Sequence, residues 1–125
     1  MRLSKPEPHH EYHFGNIFTD HMFEVDWDYK NGWSKPEIHA YRPIQIDTTA
    51  SVLHYGISCF EGISVVKNAV TGHPQAFRAD DNLNSFYDSS TKLDLPAFDK
   101  DELLNCLKKL VHLDESWFPA IDDPS

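Results

Sequence analysis

The sequence predicts an α+β domain, a small and mainly antiparallel sheet packed with helices. Three observations carry this. Short β-branched and aromatic runs separated by turn signals dominate the first half. Apolar residues at three- and four-residue spacing behind N-cap residues dominate the end. With 125 residues, 40% hydrophobic and 13% aromatic, the chain also has the length and composition of one globular domain. The resulting order, β-β-α-β-β-α-α, is that of helices stacked on an antiparallel sheet.

Residues 1–13 are polar, with Pro6 and Pro8, and read as an N-terminal tail. Residues 14–120 form the domain, and residues 121–125 a second polar tail. In the run Phe18 to Trp27, alternation sets Phe23, Val25 and Trp27 on one strand face, with Glu24 and Asp26 on the solvated one. Asn31-Gly32 supplies the positive φ angles of a tight hairpin turn. A second strand fits Glu37 to Ile46, where Ile38, Ala40, Ile44 and Ile46 share parity; Pro43 makes it an edge or bulges it. Thr48-Thr49-Ala50 is placed to cap a helix over roughly 50–60, closed by Gly62. Ile63 to Lys67 and Gln75 to Arg78 read as strands around a Thr71-Gly72-His73-Pro74 turn. Asp80-Asp81-Asn82 caps a helix with Leu83, Phe86, Tyr87 and Ser90 on one face, ended by Pro96. Asp99, with Glu102 three residues on, opens a last helix striped by Leu103, Leu107, Leu110 and Val111. So small a sheet leaves an edge that something else should cover.

Twenty acidic against eleven basic residues give a net charge of −9, which argues against nucleic acid, since phosphate binding draws on clustered Lys and Arg. No uninterrupted apolar run approaches the roughly 18 residues of a membrane span. Met1-Arg2-Leu3-Ser4-Lys5-Pro6 lacks the apolar centre of a secretory signal and is too short and proline-broken to show a mitochondrial presequence. Cys59 and Cys106 fall in apolar patterns and read as reduced packing residues rather than a disulfide. Cys59 and His54 as nucleophile and base share no helix face well, and no orienting carboxylate stands beside them. His9, His10 and His13, with Glu11, could ligate a metal, but no helix pattern holds them and no metal is expected.

The segment Leu53-His54-Tyr55-Gly56-Ile57-Ser58-Cys59-Phe60-Glu61-Gly62 resembles, as a string, the substrate-lining part of the small domain of branched-chain amino acid aminotransferases, which are fold-type IV pyridoxal phosphate enzymes. Four further segments are similar in the same order: Phe14-Gly15 with Phe18 to Met22, Gly32 to Pro36, Leu95 to Leu104, and Asp114 to Pro119. The resemblance implies that Phe14, Tyr55 and Phe60 stand where the family encloses the substrate side chain. It also sets Asp81-Asn82-Leu83-Asn84-Ser85 on a motif whose last residue, in the family, is the arginine that grips the cofactor phosphate. A serine there cannot act as a permanently charged bidentate clamp. None of the chain's lysines matches the family's Schiff-base position, which belongs to the large domain.

These departures lead to the expectation of a non-catalytic relative, without cofactor. It would serve as a structural or accessory subunit among other protein subunits, in a mitochondrion or alternatively the cytoplasm. On that expectation the three aromatics are vestigial and serve as core packing. The alternative is the N-terminal part of a split pyridoxal phosphate aminotransferase, completed by a second chain carrying the lysine. A third reading is a binding module that keeps the branched-chain pocket without chemistry.

Overall fold

The computed structural model describes residues 15–118. β1 (His21–Glu24) and β4 (Glu37–Ala40) form the longest pairing, antiparallel, with His21 opposite Ala40 and Glu24 opposite Glu37. Inside it, β2 (Trp27–Asp28) and β3 (Gly32–Trp33) close the tip of one long hairpin. The ladder is interrupted between them, where the Ser34 amide donates to the Asp26 carbonyl (2.7 Å) and the Ser34 hydroxyl accepts from the Asp26 amide (3.0 Å).

The predicted turn is there, but longer: three residues, 29–31, separate the paired Asp28 and Gly32, and Gly32 takes the positive φ of 73°. Asp28 organises it, its Oδ1 accepting from the amides of Lys30 (2.8 Å) and Asn31 (2.9 Å). The Asn31 side chain and then these amides hold the Asp28 carboxyl below its usual range.

Clean alternation does not survive. All four β1 residues are half-buried, and Trp27 lies exposed. Glu24, expected on a solvated face, accepts from Arg42 (2.9 Å) and meets His39 Nε2 at 2.8 Å. The second strand stops at Ala40 rather than Ile46. The Tyr41 amide makes a last bond to the Asp20 carbonyl (2.8 Å), and Pro43 then has no N–H to offer. Ile44 and Ile46 are left exposed.

The central helix is also shorter than predicted. α1 runs only Ser51–Tyr55, and its left-handed cap is Gly56 at φ 62°, not Gly62. The predicted threonine cap fails because Thr49 is spent on Asp47, its hydroxyl donating to Oδ1 at 2.6 Å. Ala50 therefore stands at the N-cap with no side-chain bond, and Cys59 and Phe60 lie outside any helix. β5 (Val65–Lys67) and β6 (Pro74–Ala76) form the second hairpin, close to prediction. Its loop is built on Asn68, whose Oδ1 accepts from the amides of Val70 (2.8 Å) and Thr71 (3.1 Å).

The two long helices come closest to expectation. α2 spans Ala79–Lys92, and Leu83 and Ser90 on the predicted face are buried. It starts one residue before Asp80, from a left-handed Arg78 (φ 51°), and Asp80 and Asp81 fall in its first turn, where acidic groups suit the helix dipole. It ends before Pro96, through Asp94 at φ 56°. α3 spans Lys100–Leu113 with Asp99 as N-cap, its Oδ1 accepting from the Glu102 amide (3.0 Å).

Phe98, in the link between the helices, sits 5.5 Å from Phe86 and 5.3 Å from Tyr87, ring centre to ring centre. The Trp33 indole donates to the Ala97 carbonyl (2.8 Å), tying the hairpin tip to the same link. At the other end, the buried Asp114 accepts from the His21 amide (3.1 Å) and meets His21 Nδ1 at 2.6 Å, joining the end of α3 to β1. A 3₁₀ turn over Glu115–Trp117 follows.

Three two-stranded antiparallel sheets, β1–β4, β2–β3 and β5–β6, thus combine with the helices as expected of an α+β domain, but around very little core among the described residues. Among the described residues, Leu83 is the one apolar side chain that is buried, at 4% exposure.

Candidate functional site

The residues singled out by sequence do not gather in one place. Phe14 and the histidine group of His9, His10 and His13 lie outside the described residues. Tyr55 is 80% exposed and Phe60 93%, so neither serves as core packing and that expectation is corrected. The reason is local. Gly56 ends the helix directly after Tyr55, and the extended stretch that follows carries Phe60 outward instead of onto a helix face. Leu53 and Ile57 are exposed with them, giving an apolar aromatic stretch that no described residue covers. His54 Nε2 meets the Thr48 carbonyl at 2.7 Å, so it serves its own loop and not Cys59. Both cysteines are free and half-buried.

Ser85 has a more informative setting. The Glu61-Gly62 loop comes up against the first turns of α2, bordering an open hollow of about 280 Å³. Its lining includes Glu61, Arg78, Asp81, Asn82 and Ser85. Glu61 Oε1 accepts from the Asn82 amide (3.2 Å) and from the Gly62 N–H (3.1 Å). The Asn82 amide also donates to the Gly62 carbonyl (3.0 Å), fixing the bend to the helix. The Ser85 hydroxyl first, then Asn82 and the Gly62 amide, hold the Glu61 carboxyl below the usual carboxylate range. Arg78 does not stand free, because its Nε donates to Asp81 Oδ2 at 2.7 Å.

The charges lining the hollow do not favour a phosphate. Two carboxylates, Glu61 and Asp81, face one guanidinium that is already paired. The donors that an anion would need at Asn82 and Gly62 are turned toward the protein's own Glu61. A second anion brought beside that carboxylate meets like-charge repulsion, and no unpaired cation lines the hollow to offset it. Sequence reasoning identified Ser85 but missed Glu61. The long-range cue that could have exposed it, an acidic side chain just before a glycine bend opposite a helix start, is not specific enough to read locally.

No protein-family model matches the chain. Curated relatives do. The branched-chain-amino-acid aminotransferase of Dictyostelium discoideum is 42% identical over 106 residues, 85% of this chain and 28% of that protein. The cytosolic branched-chain-amino-acid aminotransferase of Rattus norvegicus is 42% identical over 115 residues, 92% of this chain and 28% of the relative. The mitochondrial one of Bos taurus is 37% identical over 116 residues, 93% and 29% respectively. The chain therefore spans less than about a third of the length of these relatives. Identity at this level, sustained over nearly all of the chain, leaves no room for a chance resemblance: the chain is homologous to the N-terminal part of branched-chain-amino-acid aminotransferases.

Proposed function

We propose that this chain is a non-catalytic member of the aminotransferase family that works as a structural or accessory subunit, covered by other polypeptide in a larger assembly. The observation that supports the reading is the hollow at the start of α2, where Glu61 takes the donors of Asn82 and Gly62 and a serine, Ser85, stands where a cation would be needed to grip a phosphate. The outward-facing Tyr55 and Phe60 support the second half of it, since apolar surface of this extent is normally covered by a partner. Pyridoxal phosphate is not expected on this chain's own residues. Relatives named as mitochondrial and as cytosolic both occur, and the reading takes the mitochondrion first, the cytoplasm as alternative.

The test is gentle purification from the native source, with identification of everything that accompanies the chain. Recovery in an assembly free of pyridoxal phosphate supports the proposal. Recovery with a lysine-bearing aminotransferase polypeptide and bound cofactor, on the same chain or another, overturns it. That outcome would favour the second reading, in which this is the N-terminal part of a split aminotransferase. The family relationship of almost every residue keeps that reading in play. The phosphate argument has its own check. Ser85→Arg alone should leave pyridoxal phosphate unretained on ultrafiltration, because Glu61 and Asp81 stay in place. Tight retention by that variant would show that the hollow is compatible with phosphate after all.

A further inference from the structure

A groove of about 940 Å³ runs between β1, the hairpin tip and the two long helices, sharing no lining residue with the Glu61 hollow. Trp27 and Trp33 stand on one wall, and Phe86, Phe98, Leu103 and Cys106 on the other. The indoles lie opposite one another across β2 and β3 and remain 44% and 43% exposed.

Charge gives the groove a preference. Glu24, Asp99 and Glu102 line it, and among the described residues no Lys, Arg or His does. Two of the three are partly engaged. Glu24 meets His39 and Arg42, and Asp99 caps α3 through the Glu102 amide. The Glu102 side chain makes no hydrogen bond or ion pair among the described residues and is open to solvent. An apolar trough whose charged groups are all carboxylates, with two indole faces on its wall, favours an apolar occupant carrying cations, which carboxylates and indole rings both attract.

We propose that this groove receives a segment of a partner protein with apolar side chains on one face and Lys or Arg beside them, most simply a basic amphipathic helix. Such a helix lays anchors at i, i+3 and i+4 into an apolar groove. Here the anchors fill the space between the tryptophan wall and α3, and the cations meet Glu102 and the carboxylate edge of Glu24. The inference deepens the accessory-subunit reading by naming the chemistry of one partner surface, and it rests on that reading.

The experiment uses the full chain and three fluorescein-labelled synthetic peptides of about four helical turns, followed by fluorescence anisotropy. One peptide places Leu at helical spacing with Lys between. The second has the same leucines with Glu in place of Lys. The third has the same lysines with Ser in place of Leu. The basic amphipathic peptide should bind, the other two at least about tenfold more weakly, and rising salt should weaken binding.

Trp27→Ala should cost about tenfold and Trp27→Phe much less, while Glu102→Gln should cost about two- to fivefold. Circular dichroism shows whether each variant keeps its helices, and Trp27→Phe carries the test if Trp27→Ala does not fold. Equal binding of the polar lysine peptide would reduce the effect to the net charge of −9 and overturn the inference. Equal binding of the acidic peptide, or indifference to Trp27→Ala in a folded chain, overturns it as well. Any of these failures leaves the accessory-subunit reading to its own test, the native purification.

Discussion

Asp114→Ala is expected to destabilise the chain more than any other single removal of a polar side chain. Asp114 is 4% exposed and carries both of its oxygens to one residue 93 positions earlier. Oδ2 takes the His21 amide at 3.1 Å, and Oδ1 lies 2.6 Å from the ring Nδ1. A hydrogen bond to a charged partner contributes roughly 1.5–3 kcal/mol and a neutral one about 1 kcal/mol. The two therefore amount to about 2.5–4 kcal/mol, discounted little because the His21 side chain is itself mostly covered, at 17% exposure.

Few apolar groups are buried, so the stability available is at the low end of the usual range of about 5–15 kcal/mol. Urea unfolding followed by far-UV circular dichroism should show the midpoint falling by about 1–2 M at unchanged slope, taking a slope of roughly 2 kcal/mol per molar. A cycle with His21→Ala isolates the imidazole part, because that variant keeps the amide bond. Its coupling should be about 1–3 kcal/mol. If the two changes add to within about 0.5 kcal/mol, the clip between β1 and α3 is not what holds these elements together.

Other outcomes follow from single features. Asp99→Ala should cost about 0.5–2 kcal/mol by the same urea measurement, with Asp99→Asn recovering most of it, since only the cap oxygen to the Glu102 amide is at stake. Gly56→Ala should cost about 1 kcal/mol although nothing stands within 4 Å of the added carbon, because the φ of 62° and not crowding is the obstacle; Gly56→Asn should be milder. The Ala40 carbonyl, then Glu24, raises the affinity of His39 for its proton. That contribution is complete below the ordinary histidine pKa and is lost as pH rises through the raised value, which a histidine NMR titration should place above that of a model peptide. For Glu61 the sign reverses. Its lowered pKa gives stability present above the ordinary carboxylate value and lost as pH falls through the lowered one, and Ser85→Ala should move its carbon-detected titration upward.

Elements whose signals are local were legible in the sequence. α3 needed only an aspartate cap and a leucine stripe, and both operate as written. The face of α2 carrying Leu83 and Ser90 was readable from spacing alone. The failures share a cause, competition that a periodic pattern does not record. The run from Ala50 to Phe60 looks helical throughout, but Gly56 sits inside it and Asp47 has already claimed the hydroxyl of Thr49. The apolar parity of Ile44 and Ile46 continues past Pro43, while the ladder cannot. Contacts between distant residues left no local trace at all. Nothing near Glu61 announces Asn82 and Ser85, and nothing near His21 announces Asp114. The site was therefore half legible: the serine was visible, its carboxylate neighbour was not.

The near absence of buried apolar side chains has a consequence for how the protein persists. A body whose described residues enclose one leucine has little of its own there to resist unfolding, so anything bound to its folded form weighs heavily in its lifetime. Anything that binds only the folded form at a hundred times its dissociation constant adds about 2.7 kcal/mol, comparable to the strongest internal clip described above. If a partner covers the chain as proposed, melting temperature and resistance to proteolysis become measures of occupancy, rising with that partner's concentration. A chain made in excess of its partner would be the first to be degraded, so its abundance would follow that of the assembly without any dedicated control.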